Sequence, residues 1–210
     1  KVLDPALFIG SCVHAALAAL LNGSTCEEAV AWALERFEGE LSERGLSGDA
    51  PESRALIEGL IRAWHRVRLP RWLDEYDVVC VEQEEQAVLT KDVTLLARPD
   101  AIVRRQSDGL LFVVNFKTTS YGDSRWQASF EYDMQLATET LAYEQRAETR
   151  VAGVIVEGLV KGERRTDKDA DGNIIATRQN SPLIYGYKFP GNPPLEPAAY
   201  DWAYTRKKGW

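Results

Sequence analysis

The apolar residues of this chain change their period near residue 75, and that change limits the fold more than any other feature. Before it they recur at helical spacing. Residues 9–22 (IGSCVHAALAALLN) set alanine and leucine on a helix that stops at Gly23. Ser24, with Glu27 three residues later, is a capping-box pattern that opens a second helix over about 25–44. Pro51 stands where a third helix starts, and that helix runs through Trp64 toward Pro70. After residue 75 the texture is β. YDVVCVEQEEQAVL (76–89), VTLLARPDAIVRR (93–105) and GLLFVVNFKTT (109–119) are separated by turn chemistry at Lys91-Asp92 and Ser107-Asp108-Gly109. The last two read as a hairpin. A helix over about 133–147 and a strand over 151–160 follow. Residues 163–180 are polar and charged and read as an exposed loop or hairpin tip, before a short strand near 183–189 and a helix around 196–206. Helices, then a meander, then helix and strand predict one α/β sandwich, with helices flanking a mixed sheet. The chain reads as one domain over 1–210: a helical region over residues 1–75, a core of about 76–160, and a closing strand and helix within 161–210.

Composition narrows the function by exclusion. The longest apolar runs, such as AALAALL at 15–21, are far too short to span a bilayer, so no membrane role is expected. No segment has the build of a secretory leader, and the start at Lys1 reads as a fragment or a processed chain. Cys12, Cys26 and Cys80 are widely spaced and form no CxxC. They read as small core residues in a reducing, intracellular setting rather than as zinc or cluster ligands. The net charge of −7 argues against coating nucleic acid by bulk attraction. It leaves room for a cleft with basic walls and acidic metal ligands.

The chemistry gathers where two strands meet. Side chains alternate along a strand, so Asn115 and Lys117 share a face, and Arg98, Asp100 and Ile102 share one on the strand before. Pro99 removes a ladder donor directly before Asp100. If the strands pair, an acid, a second oxygen ligand and a lysine converge. A hard divalent ion takes oxygen ligands from one or two carboxylates plus water and phosphate. It polarises the phosphate and lowers the pKa of an attacking water, and a lysine beside it orients that water or offsets developing charge.

"RPD" at 98–100 followed by "NFK" at 115–117 resembles the core of the PD-(D/E)XK nucleases, and specifically their RecB-like, phage-type exonuclease branch. Three further stretches resemble that branch in order and spacing: GSCVH (10–14), VEQE (81–84) and YDMQL (132–136). The resemblance spans roughly residues 8–160. It implies a restriction-endonuclease-like, three-layer α/β sandwich with a central mixed sheet. It implies Mg²⁺ or Mn²⁺ bound by His14, Glu82, Asp100 and residue 115, with Asp100, Asn115, Lys117 and Gln135 around the scissile phosphate. It also implies DNA as the partner, with room for a protein partner of a recombination or repair system, inside a bacterial or phage-infected cell. The chain departs from the pattern at Asn115, where the family carries an acid. The amide keeps an oxygen but loses a charge, so the expectation is weakened metal binding and an impaired nuclease, or a non-cutting module that binds DNA or a protein. Position 139, where the family's helix often has a tyrosine, is Glu139. The relatives with an iron–sulfur cluster need four cysteines, which this chain lacks.

Plainer readings stand beside these. His14 on an apolar helix also reads as a packed core histidine, Glu82 as one of a solvated acidic run, and Lys117 as an edge-strand lysine. Gln135 also reads as decoration at the start of its helix. Arg125, Lys161 and Arg165 read either as phosphate contacts or as solvated loop residues. Trp126 reads either as a base-stacking residue or as core.

Overall fold

The computed structural model describes residues 5–45, 51–119, 126, 128–160, 166–168 and 174–176. The chain divides into two compact units, Lys1–Pro70 with Thr118–Ser120 and Leu159–Trp210, and Arg71–Lys117 with Tyr121–Gly158. In the first unit, α1 (Pro5–Leu21), α2 (Cys26–Glu43) and α3 (Pro51–Val67) pack against one another. Val13, Ala16, Leu17, Ala33, Phe37, Ile57, Leu60 and Ile61 bury their side chains. Arg62 ties α3 to α2 by reaching Glu27 at 3.2 Å while holding Glu58, one turn back, at 2.8 Å.

The turn between α1 and α2 shows how local chemistry sets a boundary. Gly23 takes φ +91°, its N–H returns to the Leu20 carbonyl, and the Ser24 N–H returns to that of Ala19. This bond pair closes a helix on a left-handed residue. Ser24 is thereby committed to the end of α1, and the cap of α2 falls to Thr25. The Thr25 hydroxyl accepts from the Glu28 N–H at 3.3 Å, and the Glu28 carboxylate accepts from the Thr25 N–H at 2.9 Å. The capping box expected at Ser24 and Glu27 is therefore displaced by one residue. The third expected helix is also two: α3 ends at Val67 and α4 (Leu69–Glu75) takes Pro70 into its first turn, where a missing N–H costs nothing.

The β-rich region contains β1 (Tyr76–Val81), β2 (Glu85–Thr90), β3 (Val93–Ala97), β4 (Ala101–Arg105) and β5 (Leu111–Thr119). Then come α5 (Met134–Ala147) and β6 (Gly153–Val160). β1, β4, β5 and β6 lie side by side in that order, while β2 and β3 form their own two-stranded sheet. The four-stranded sheet is mixed, as expected for an α/β nuclease core. Its β1–β4 and β4–β5 pairings are antiparallel, which leaves the parallel pairing to β5 and β6, joined through α5. The expected hairpin 93–119 is present as β4–β5, turned at Gly109 with φ +74°.

Two expected strands are each broken. The stretch 76–89 is β1 and β2, and 93–105 is β3 and β4. Glu82 sits at φ +50°, and Pro99 has no N–H to give a ladder. The two breaks face one another, because the Glu82 N–H donates to the Asp100 carbonyl at 3.1 Å. The ribbon thus changes sheet at one point, and Asp100 stands at the step.

β5 is buried on both faces. On one, Phe116 meets Trp72 with ring centroids 6.2 Å apart, and Phe112 meets Tyr76 at 6.3 Å. On the other, Leu111 and Val113 join Ile102 and Tyr143 of α5 in one apolar cluster. The 163–180 stretch carries an antiparallel pair, β7 (Thr166–Lys168) and β8 (Ile174–Ala176), as the hairpin reading expected. The strand and helix expected beyond residue 180 lie outside the described residues. Among the described residues no helix is long and apolar enough to cross a membrane.

Candidate active site

The site is built by matching one strand to one helix. Alternate residues of a strand are spaced by about 6.6 Å, and every fourth residue of a helix by about 6 Å. Val113, Asn115 and Lys117 therefore keep step with Tyr143, Glu139 and Gln135 of α5. Val113 and Tyr143 share the apolar cluster. The Asn115 amide donates to both Glu139 carboxylate oxygens, at 3.3 and 3.2 Å. The Lys117 ammonium donates to the Gln135 side-chain oxygen at 2.9 Å, and the Gln135 amide donates to Glu139 at 2.7 Å. Asp133 caps α5 by accepting from the Gln135 and Leu136 N–H groups at 2.8 and 3.3 Å, which fixes where these contacts fall.

Asp100 enters from the neighbouring strand. Ala101 pairs with Val114, so the next step of the register sets Asp100 opposite Asn115. Its Oδ2 accepts from the Phe116 N–H at 2.5 Å, which anchors one carboxylate oxygen at the sheet edge. The strand alternation and the hairpin bring Asp100, Asn115 and Lys117 together, as expected from their spacing, and α5 adds Gln135.

Glu139 is a site residue not assigned from the sequence. It is 2% exposed and its carboxyl is pushed above the ordinary range. Burial is the main cause, with the charge of Asp100 adding to it. The bonds from Gln135 and Asn115 and the charge of Lys117 pull the other way. Asn115 is 1% exposed, and its Oδ1 has no hydrogen-bond partner. Two signals point to Glu139: the resemblance puts a tyrosine at this position, and it lies four residues after Gln135 on the face that meets β5.

The other expected residues are placed as follows. Glu82 is half-buried, directly follows β1, and pairs with Arg98 at 3.3 Å. The acid the fold buries in this stretch is Glu85, held by Arg146 of α5. His14 is half-buried on α1 in the first unit, one turn after Gly10, whose added Cβ would lie 3.1 Å from the Thr118 hydroxyl. The Trp126 ring packs so closely on Gly158 that a Cβ there would meet it at 2.5 Å, and it stands edge-on to Phe130 at 4.7 Å. Arg125, Lys161 and Arg165 lie outside the described residues.

Among the described residues, no group of three or more His, Cys, Asp or Glu is placed to hold an ion. The oxygen donors that do converge are the carboxylates of Asp100 and Glu139 and the amide of Asn115. Two carboxylates with a neutral oxygen suit Mg²⁺ or Mn²⁺, which keep further positions for water and phosphate. The unpartnered Asn115 Oδ1 is the kind of atom such an ion satisfies. A model of the PD-(D/E)XK nuclease superfamily matches residues 2–184. No curated protein matches the chain.

Proposed function

The chain belongs to the PD-(D/E)XK nuclease superfamily, and from that membership we propose that it is a metal-dependent deoxyribonuclease of the RecB-like, phage-type exonuclease branch. Members of the superfamily are typically metal-dependent nucleases and generally use Mg²⁺ or Mn²⁺. We place its work in recombination or repair inside a bacterial or phage-infected cell. The three cysteines, all free thiols, fit a reducing compartment.

The observation that carries this reading is the convergence of Asp100, Asn115 and Lys117 at one strand junction. A bound divalent ion supplies a polarised phosphate and a water of lowered pKa. The protein supplies the geometry. The Phe116 N–H holds one oxygen of Asp100, which fixes the carboxylate at the junction. Gln135 holds the Lys117 ammonium beside the cleft, where it orients the water and offsets charge on the phosphate. The assignments of His14 and Glu82 as further ligands rest on the sequence pattern. Those of Arg125, Trp126, Lys161 and Arg165 as DNA contacts also rest on it.

A second reading is favoured by Asn115. Counted on the sheet alone, the site is one carboxylate short, and such a chain would bind DNA or a protein partner without cutting. The deciding experiment incubates the chain with single- and double-stranded DNA, with Mg²⁺, with Mn²⁺ and with a chelator. Metal-dependent release of nucleotides supports the exonuclease. Binding without cleavage under every condition selects the second reading.

A further inference from the structure

We infer that Glu139 supplies the metal carboxylate that position 115 lacks, so that the ion sits between Asp100 at the strand junction and Glu139 on α5. The inference rests on the nuclease reading and deepens it. Three observations carry it. Glu139 lies opposite Asn115, the position where the family carries its acid, and the two side chains are in contact at 3.2 Å. The carboxylate therefore reaches the same place from the helix rather than from the strand.

The Asn115–Glu139 pair is also self-consistent. Aspartate at 115 would replace the amide donor facing Glu139 with a second carboxylate oxygen in contact with it. Asparagine instead donates its amide to Glu139 and orients it, while its unpartnered Oδ1 remains as a neutral donor. In this light Asn115 is the complement of Glu139 rather than a lost ligand. Finally, among the described residues Glu139 has no dedicated cation. Its hydrogen bonds come from two neutral amides, Asn115 and Gln135, and the Lys117 ammonium is bonded to Gln135. A buried carboxylate held only by amides is expensive unless a charge balances it. A divalent ion beside Asp100 provides that charge.

The test compares the parent chain with Glu139→Gln, Asp100→Asn and the exchange variant Asn115→Asp/Glu139→Gln. Mn²⁺ affinity is read by calorimetry, and DNA cleavage in parallel. Each single variant is expected to weaken Mn²⁺ binding at least tenfold. The exchange variant, which returns the acid to the strand, is expected to recover most of that loss, with cleavage following. If Glu139→Gln binds Mn²⁺ as the parent does while Asp100→Asn does not, the inference fails and the nuclease reading stands. If the parent neither binds Mn²⁺ nor cuts DNA, the nuclease reading itself fails. A measurement on the parent alone covers poor folding of the variants. Diamagnetic Mg²⁺ should shift the side-chain carboxyl carbon signal of Glu139 together with that of Asp100, and a shift confined to Asp100 overturns the inference.

Discussion

Asp100 does two jobs, and they separate by substitution. In the proposed site its charge serves the ion, and its Oδ2 accepts the N–H of Phe116, a fully buried residue. Asp100→Asn keeps an acceptor and loses the charge. Asp100→Ala loses both and strands a strand N–H, which costs about 1–3 kcal/mol. Urea unfolding without metal should therefore show the alanine variant weakened and the asparagine variant near the parent. Equal stability of all three would mean that the bond contributes nothing. Cys12 gives a pH-dependent case. Burial pushes its thiol from 9.0 to about 11, with Arg36 opposing and Glu40 assisting. A folded value above the unfolded one means that the contribution is complete below pH 9 and lost as pH rises through 11. It is about 3 kcal/mol at most. Cys12→Ala should flatten the alkaline limb of stability against pH, and an unchanged limb would assign it to other groups. At this scale the sequence shows Asp100, Asn115 and Lys117 because strand alternation and one hairpin suffice to join them. Glu139 escapes because its partner lies across a strand–helix interface, and spacing within one element does not reveal which face meets which.

Elements were legible where their chemistry is local. α5 begins at Met134, capped by Asp133, and β5 ends in Thr-Thr, both close to where composition puts them. Boundaries set by a neighbour were not. Ser24 and Thr25 each begin an S/T-x-x-E pattern, and only the closure of α1 decides between them. Thr25→Ala should cost about 1 kcal/mol, the value of a lost N-cap. Ser24→Ala should be nearly silent, since the backbone N–H of Ser24 makes the closing bond. A larger shift of the urea midpoint in Ser24→Ala than in Thr25→Ala would return the box to Ser24. The broken strands follow the same logic. Alternation runs on formally through 82–84, but the cross-ribbon bond between Glu82 and Asp100 holds Glu82 in a left-handed conformation that no propensity announces. Gly158 records a third neighbour effect. A methyl group there meets the Trp126 ring at 2.5 Å, so Gly158→Ala should destabilise by about 1–3 kcal/mol, as overpacking does. Full stability of that variant would show the ring free to move aside.

At the scale of the whole molecule, on the proposed reading, the charge of −7 makes the metal a condition for binding DNA as well as for cutting it. Duplex DNA carries about one negative charge per 1.7 Å of axis, and an acidic protein does not approach it by bulk attraction. In that reading Asp100 and Glu139 flank the scissile phosphate, and without an ion the acidic pair disfavours it. A divalent cation between them reverses the local sign and gives the phosphate oxygens a ligand position. DNA affinity should therefore rise at least tenfold when Ca²⁺ replaces a chelator. Ca²⁺ takes oxygen ligands in a looser geometry than Mg²⁺, which suits it to measuring binding apart from cleavage. The gain should vanish in Asp100→Asn and in Glu139→Gln, because each leaves one carboxylate to hold the ion. The affinity that remains with Ca²⁺ should fall linearly with salt on logarithmic axes, in proportion to the phosphates contacted. Fluorescence anisotropy of a labelled duplex measures all three. Binding that is equally tight with chelator, with the same salt slope, would place the affinity on cationic residues away from the two carboxylates. The chain would then grip DNA without needing its metal, as the non-cutting reading requires.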